Sequence, residues 1–535
     1  EENDSRAILY VYSFISGADW ADEVARIDRM SKITKQDVVE WANKYLGPES
    51  YAIIYKREGK DPDEQKIAAP KITPIVTNRD SQSEFLSEIQ TSQVQPIEPV
   101  FVDYKKDMSQ FEAQPGIDVL YKKNETNDIF TLIYVFNTGT ENDPALNLAF
   151  NYLSYLGTDK MTAEEIASEM YDIACSFYMN AGANQSSIQI TGLSENMGKA
   201  MEIVEGLIAG AKPDEAILEN LKGDMLKSRA DAKLNQSRCF GALQRYLFYG
   251  GDFIRRTTLT DPALQALTSE QLLAKIGGLM GKQHEVLYYG PQKETEIKSA
   301  LAEHHKVAAD LQPLEKKFSA LLPTDANKVV LAQYDAKQLY YLQFSNRGEK
   351  FDVAADPEIT LYNEYFGGGM NTIVFQEMRE ARGLAYSAWA TLATPSNANG
   401  DYSYYAFIAT QNDKMQKAVE AFDDIINNMP ESEKAFGIAK EALVSRLRTE
   451  RTVKDGVLWS YLRARDLGLD APRDKQIFEK VQSMTLDDVK AAQQKWVKGR
   501  KYVYGILGDI QDLDLNYLKT LGPIQTVSQE EIFGY

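Results

Sequence analysis

The stretch ALTSEQLLAKIGGLMGKQHEVLYYGPQ, residues 266–292, decides the architecture, because the chain spells it again at 483–509 as SMTLDDVKAAQQKWVKGRKYVYGILGD. Each version opens with a threonine, Thr268 or Thr485, followed by acidic or amide residues and an amphipathic run. That order marks a helix start, where side-chain oxygens satisfy N–H groups that have no partner within the helix. The runs EVLYY and KYVYGIL come next, are rich in β-formers and read as strands. A third version, KITKQDVVEWANKYLGPESYAIIYKREGK, stands at 32–60, with Thr34 at the cap and YAIIY as the strand.

Working outward, the repeat persists. Thr268 and Thr485 are 217 positions apart, and so are Pro213 and Pro430, each of which opens a long helical pattern. YLGTDKMTAEEIASEMYDIACSFYMN from Tyr155 lies over YFGGGMNTIVFQEMREARGLAYSAWA from Tyr365, an offset of 210. Collinear offsets of this kind indicate a duplicated unit of roughly 215 residues. They divide the chain into 1–62 as the tail of a preceding homologous domain, 63–97 as linker, and full copies at 98–312 and 313–535. The linker reading rests on a polar, proline-bearing composition without periodicity. A tail of half a domain cannot bury its own apolar stripe, so residues before Glu1 are expected to complete it.

In the second copy, LYYLQFSNRG and DYSYYAFIATQ read as strands. PEITLYNEYF, MNTIVFQEMREA and DKMQKAVEAFDDIINNM read as helices. Strands cluster rather than alternating strictly with helices, which favours an α+β fold with a mostly antiparallel sheet.

The 535 residues are 44% hydrophobic and 26% charged, an ordinary globular composition. A net charge of −19 disfavours nucleic acid and anionic lipid as partners. No apolar run reaches the roughly 18 residues of a membrane span, and no signal peptide is visible at the start. A soluble protein of the bacterial periplasm or cytoplasm is the expectation. Cys175 and Cys239 read as buried thiols. His304 and His305 are adjacent, so on a helix they point about 100° apart, and LAEHHKVAAD reads as solvated surface. His284, at a strand entrance, reads as structural. No HExxH, HxxEH, CxxC or GxSxG pattern occurs. The run GGGMNT lacks the spacings of phosphate loops and reads as a turn that admits close backbone approach.

Residues 365–395, YFGGGMNTIVFQEMREARGLAYSAWATLATP, resemble the signature of the C-terminal half of pitrilysin/insulinase-type zinc metallopeptidases, which include the mitochondrial processing peptidases. There a glycine-rich turn leads into a helix ending in Arg, and Tyr stands seven positions later, as Arg379 and Tyr386 do here. The resemblance implies two homologous α+β domains of the metallopeptidase LuxS/processing-peptidase type plus the orphan tail. It implies Arg379 and Tyr386 as catalytic residues at the scissile carbonyl, and Gly368 and Gly369 as substrate-binding. The residues alone read Arg379 as a helix-terminal cation and Tyr386 as a phenol on the following strand, with Gly383 ending the helix.

The resemblance also implies what this chain lacks. The places of the zinc-binding HxxEH fall on Leu148, Asn151 and Tyr152 in the first copy, and the Arg–Tyr places fall on Glu169 and Ser176. None of the first three can bind zinc as paired imidazoles and a carboxylate do. The expectation is therefore a non-metal half that holds no metal itself. It closes against a zinc-bearing half or subunit around a peptide or small-protein substrate, and the segment alone is inactive. The rivals are a separate subunit paired with an HxxEH-bearing chain, and a non-enzymatic scaffold.

Overall fold

The computed structural model describes residues 3–55, 59, 83–93 and 95–535. It divides into two compact units, Glu1–Gln93 and Val94–Tyr535. Most of the expected linker, 63–97, lies outside the described residues, and its later part holds a short helix, Glu84–Thr91.

All three threonine caps form. The Thr34, Thr268 and Thr485 N–H groups donate to the side chains of Asp37, Gln271 and Asp488 at 2.8, 3.0 and 2.7 Å. Each interaction spans three residues, so it needs no tertiary support. Past the caps, the units differ. In the first unit the helix Lys35–Tyr45 leads to Tyr51–Tyr55, which is not a strand, and Ile54 is 92% exposed. Among the described residues of that unit the only buried one is Ser13. Most of its large apolar side chains are exposed, Phe14 and Ile15 among them.

The second unit contains two six-stranded sheets. The first comprises β1 (Ser109–Gln114), β2 (Ile117–Lys123), β3 (Ile129–Phe136), β4 (Cys175–Ala181), β5 (Ser186–Leu193) and β6 (His284–Gly290), in the order β1-β2-β6-β3-β5-β4. The second comprises β7 (Lys328–Gln333), β8 (Gln338–Lys350), β9 (Ser387–Ala393), β10 (Asp401–Gln411), β11 (Val503–Gly508) and β12 (Ile524–Val527), in the order β12-β7-β11-β8-β10-β9. β6 and β11 are the strands that succeed the threonine-capped helices. Both lie inside their sheets with every residue buried, in keeping with the apolar runs VLYY and VYGIL within them. They pair in parallel with β2 and β7 and antiparallel with β3 and β8. Pairing is otherwise antiparallel except between β12 and β7, so the fold is α+β as expected.

One face of each sheet packs on helices of its own copy. The other face is covered by the opposite copy. Cys239, Phe240, Leu243 and Leu247 of the helix Gln236–Thr257 pack on Val330, Leu342, Phe344 and Leu507 of the second sheet. Val457, Leu458 and Leu462 of the helix Gly456–Asp466 pack on Leu120, Ile133, Val135 and Leu287 of the first. The approach is close enough to dictate a residue type: a Cβ on Gly505 in β11 would sit 2.2 Å from a methyl carbon of Leu247. Arg465 ties the second helix to β6 through both oxygens of Glu285, at 2.5 and 2.7 Å.

Two sequence readings meet different outcomes here. Cys175 and Cys239 are buried free thiols, and burial raises the pKa of both. The reading of His305 as solvated surface is corrected. The helix Glu294–His304 ends one residue earlier, and His305, with φ −83° and ψ 97°, turns inward and is buried. Its Nε2 lies 2.8 Å from Nε2 of His284, and its Nδ1 lies 2.5 Å from Glu205. His284 Nδ1 donates to the Lys282 carbonyl at 2.8 Å, so its Nε2 accepts from His305. Tyr134 lies tilted against His305 with ring centroids 4.2 Å apart. Burial first, and His305 second, push His284 down to about 4.

The packing between copies is open to test. Leu247→Ala should cost about 2–5 kcal/mol in urea unfolding, and amide exchange should quicken together in β3 and β10. Acceleration confined to β10 would contradict the interlock. The histidine pair is testable by pH. Folded His284 stays neutral while the unfolded side chain gains a proton near pH 6.5. Its contribution is therefore complete above pH 6.5 and is lost as the pH falls toward 4, by roughly 3 kcal/mol. Unfolding titrations of the native chain and His284→Asn should diverge over that window, and parallel curves would exclude this role.

Candidate functional site

The helix Asp356–Phe366 stops at Gly367 because the chain there runs against β9. A Cβ on Gly367 would lie 2.2 Å from the Ala390 carbonyl oxygen, and the Gly367 carbonyl accepts the Ala390 N–H at 2.9 Å. The close approach expected of the triple glycine thus falls on its first member. Gly368 has open space where its Cβ would be, and Gly369 would meet only Thr372 at 3.7 Å. Both line a cavity of about 400 Å³ shared with Asn363, Trp389 and the ion pair of Arg446 with Glu364 at 3.1 Å.

Beyond the turn, Ile373–Phe375 makes a short helix that continues as a π-helical turn, Gln376–Ala381. Gly383, with φ +57°, takes the left-handed position that terminates it, and the Leu384 N–H returns to the Met378 carbonyl at 2.9 Å. Arg379 sits in this last turn. Its guanidinium carbon is 4.9 Å from the ring centres of both Phe375 and Tyr386. Tyr386 stands just before β9 rather than on it, with its N–H donating to Ala409 at 3.3 Å. The two residues named from the sequence are therefore adjacent, and the phenol is 72% exposed.

Arg382, three residues on, is a useful contrast. It is bound by Glu377 at 3.3 Å and Asp424 at 3.5 Å. The Asn428 amide, and then Arg382, hold the Asp424 carboxyl below its usual range. Arg379 has only Glu380, at 3.7 Å, and among the described residues neither its guanidinium nor the Tyr386 hydroxyl makes a hydrogen bond. A stacked cation and an unengaged phenol, both reaching solvent, can together receive a polarised carbonyl oxygen.

Two neighbouring features were not read from the sequence. The Asn363 side chain imitates a strand: its amide donates to the Leu392 carbonyl and its oxygen accepts the Leu392 N–H, both at 2.9 Å. With Gly367 it closes the outer edge of β9 over Ala390–Leu392, so no further strand can add there. A long-range Asn–strand pairing leaves no local sequence signal. The second feature is the Arg446–Glu364 pair, which joins two helices far apart in sequence.

The first copy has no equivalent centre. Glu169 lies on an exposed helix face and Ser176 is exposed on β4. Where the resemblance places zinc ligands, Leu148 and Tyr152 are buried. The Tyr152 hydroxyl donates to Ser269 and accepts the Asp214 N–H, both at 2.7 Å. These residues do not fit a zinc site, and among the described residues no three His, Cys, Asp or Glu side chains converge on a metal position. No helix among them is long and apolar enough to cross a membrane.

The chain is 23% identical over 266 residues to an uncharacterized zinc protease of Streptomyces coelicolor, covering 46% of this chain and 56% of that one. The chain thus spans little more than half of that relative. A solved peptidase M16 inactive domain from Pseudomonas fluorescens superposes with a TM-score of 0.59 at 18% identity, covering 75% of this chain and 98% of that one. The ferredoxin protease FusC, solved with Arabidopsis ferredoxin, superposes with a TM-score of 0.60 at 13% identity, covering 89% of this chain and 51% of that one. Residues 284–443, from β6 into the helix Glu433–Thr449, match the Peptidase M16 inactive domain. The chain is therefore similar over residues 284–443 to the Peptidase M16 inactive domain, and over part of their length to proteins named zinc proteases.

Proposed function

We propose that this chain is the non-metal half of a zinc-dependent endopeptidase, and that Arg379 and Tyr386 face the scissile carbonyl of a bound peptide. The observation that carries the reading is the contrast at the helix end. Arg382 is bound by two carboxylates, while Arg379 and the exposed Tyr386 stack on each other with their polar atoms unengaged. In this reading the phenol donates to the carbonyl oxygen as negative charge builds on it, and the guanidinium stabilises that charge from the side. Gly368 and Gly369 leave room for the substrate backbone beside the turn. Zinc and its water belong to a partner half, because the matching places in this chain cannot hold the ion.

The substrate in this proposal is an extended peptide or a small protein, as ferredoxin is for FusC. β9 is closed to it, but β4 ends the other sheet, and among the described residues no group pairs with its outer edge. Strand addition at β4 would give backbone affinity independent of sequence. The exposed apolar residues of the first unit fit a tail whose domain is completed by preceding sequence. A second reading, a separate subunit paired with an HxxEH-bearing chain, draws support from the Pseudomonas inactive domain, a shorter chain covered almost whole. The gene upstream of Glu1 separates the two: an HxxEH in frame supports one polypeptide, and its absence supports the subunit.

In the complete enzyme, Tyr386→Phe should lower kcat by about 10²-fold or more with little change in KM. Arg379→Gln should act in the same direction, whereas Arg382→Gln should show up in thermal stability rather than turnover. Unaltered kcat in Tyr386→Phe would remove the phenol from the reaction. The 535-residue chain alone should hydrolyse no peptide.

A further inference from the structure

A cavity of about 380 Å³ lies among the helices Glu215–Lys233 and Gln236–Thr257, the start of the helix Leu146–Leu153, and the segment Ile532–Tyr535. Three guanidiniums line it, those of Arg229, Arg238 and Arg245, in a chain whose net charge is −19. Arg229 is neutralised: it pairs with Asp261, donates to the Leu259 carbonyl at 2.6 Å and lies 4.4 Å from the Tyr535 ring centre. The other two are not. Arg245 donates to the Thr257 hydroxyl at 2.7 Å and lies 5.1 Å from the Phe253 ring centre. Burial lowers its pKa, and Glu141, whose charge opposes that shift, makes no ion-pair contact with it and accepts a hydrogen bond from Ser319. Among the described residues no carboxylate is in ion-pair contact with Arg245, and the Arg238 side chain makes no hydrogen bond or ion pair. Asp224 and Asp231 flank Arg238 on its outer side, in a separate cavity.

One further observation has the same sign. Thr258, also in the lining, has a buried hydroxyl without a partner. Two guanidiniums without an ion-pair partner among the described residues and an unpaired hydroxyl form a set of donors in want of an acceptor. Part of the remaining wall is apolar, with Met225, Leu259 and Phe533, and would suit a ligand whose oxyanion adjoins a hydrophobic group. A polyphosphate would leave that wall without a complement.

We infer that this cavity binds the terminal carboxylate of a peptide, with the carboxylate held by Arg238 and Arg245 and the last apolar side chain against Met225, Leu259 and Phe533. The inference rests on the peptidase reading only for the ligand being a peptide; the oxyanion chemistry comes from the cavity itself.

The test is calorimetric titration of the 535-residue chain with N-acetyl-alanyl-leucyl-phenylalanine, with the C-terminal amide of the same peptide, and with inorganic phosphate. The free acid should bind, and the amide at least tenfold more weakly. Arg238→Gln, at an exposed position, should weaken the acid at least tenfold, leaving the amide and the unfolding midpoint unchanged. Arg245→Lys, which keeps the charge but loses the planar fork, should also weaken it. Equal affinity for acid and amide, no binding at millimolar peptide, or phosphate binding more tightly than the acid would each overturn the assignment. These measurements involve neither zinc nor turnover, so they stand apart from the outcome of Tyr386→Phe.

Discussion

Neither sheet of the Val94–Tyr535 unit can close its own core. A sheet with two apolar faces needs a layer on each. Here each copy supplies one layer for itself and sends a helix across for the other. Leu247 against Gly505 in one direction, and Leu458 against the face around Ile133 in the other, are the contacts through which the two copies become one folding unit. The Arg465–Glu285 fork adds direction to a contact that apolar packing alone would leave free to slide.

That interlock sets where the candidate site can be. With the second face of its sheet covered, β9 remains as an edge strand. The chain then seals most of that edge with Asn363 and Gly367. Arg379 and Tyr386 emerge at the end that is not sealed. A π-helical turn re-aims the last residues of its helix, and Gly383 reverses the chain so that Tyr386 returns over Arg379. The pair thus depends on a backbone irregularity beside the half-buried edge strand β9.

Much of this is legible in the sequence, for reasons of range. The threonine caps depend on residues three positions apart, and all three form. The strands of the second copy are visible because their apolar runs are long, and the Arg379–Tyr386 proximity because both residues belong to one turn. Where the outcome depends on distant partners, local pattern says less. YAIIY carries the same signal as EVLYY but is not a strand among the described residues, since strand propensity acts only through a neighbour. His305 escapes a local reading because periodicity carries the helix through it, whereas the helix ends at His304 and the next side chain turns inward to Glu205. In the triple glycine, composition cannot tell which member meets β9; the carbonyl of Ala390 makes it the first.

The exchange of helices also bears on how such a chain could arise. A single ancestral copy would have had one sheet face bare and one helix with nothing of its own to cover. Two identical molecules could have satisfied each other by reciprocal docking about a twofold axis, as in a swapped dimer. Tandem fusion would keep such a pairing within one chain, leaving each half free to carry different residues at a shared place, as Arg379 and Tyr386 stand at the offset of Glu169 and Ser176.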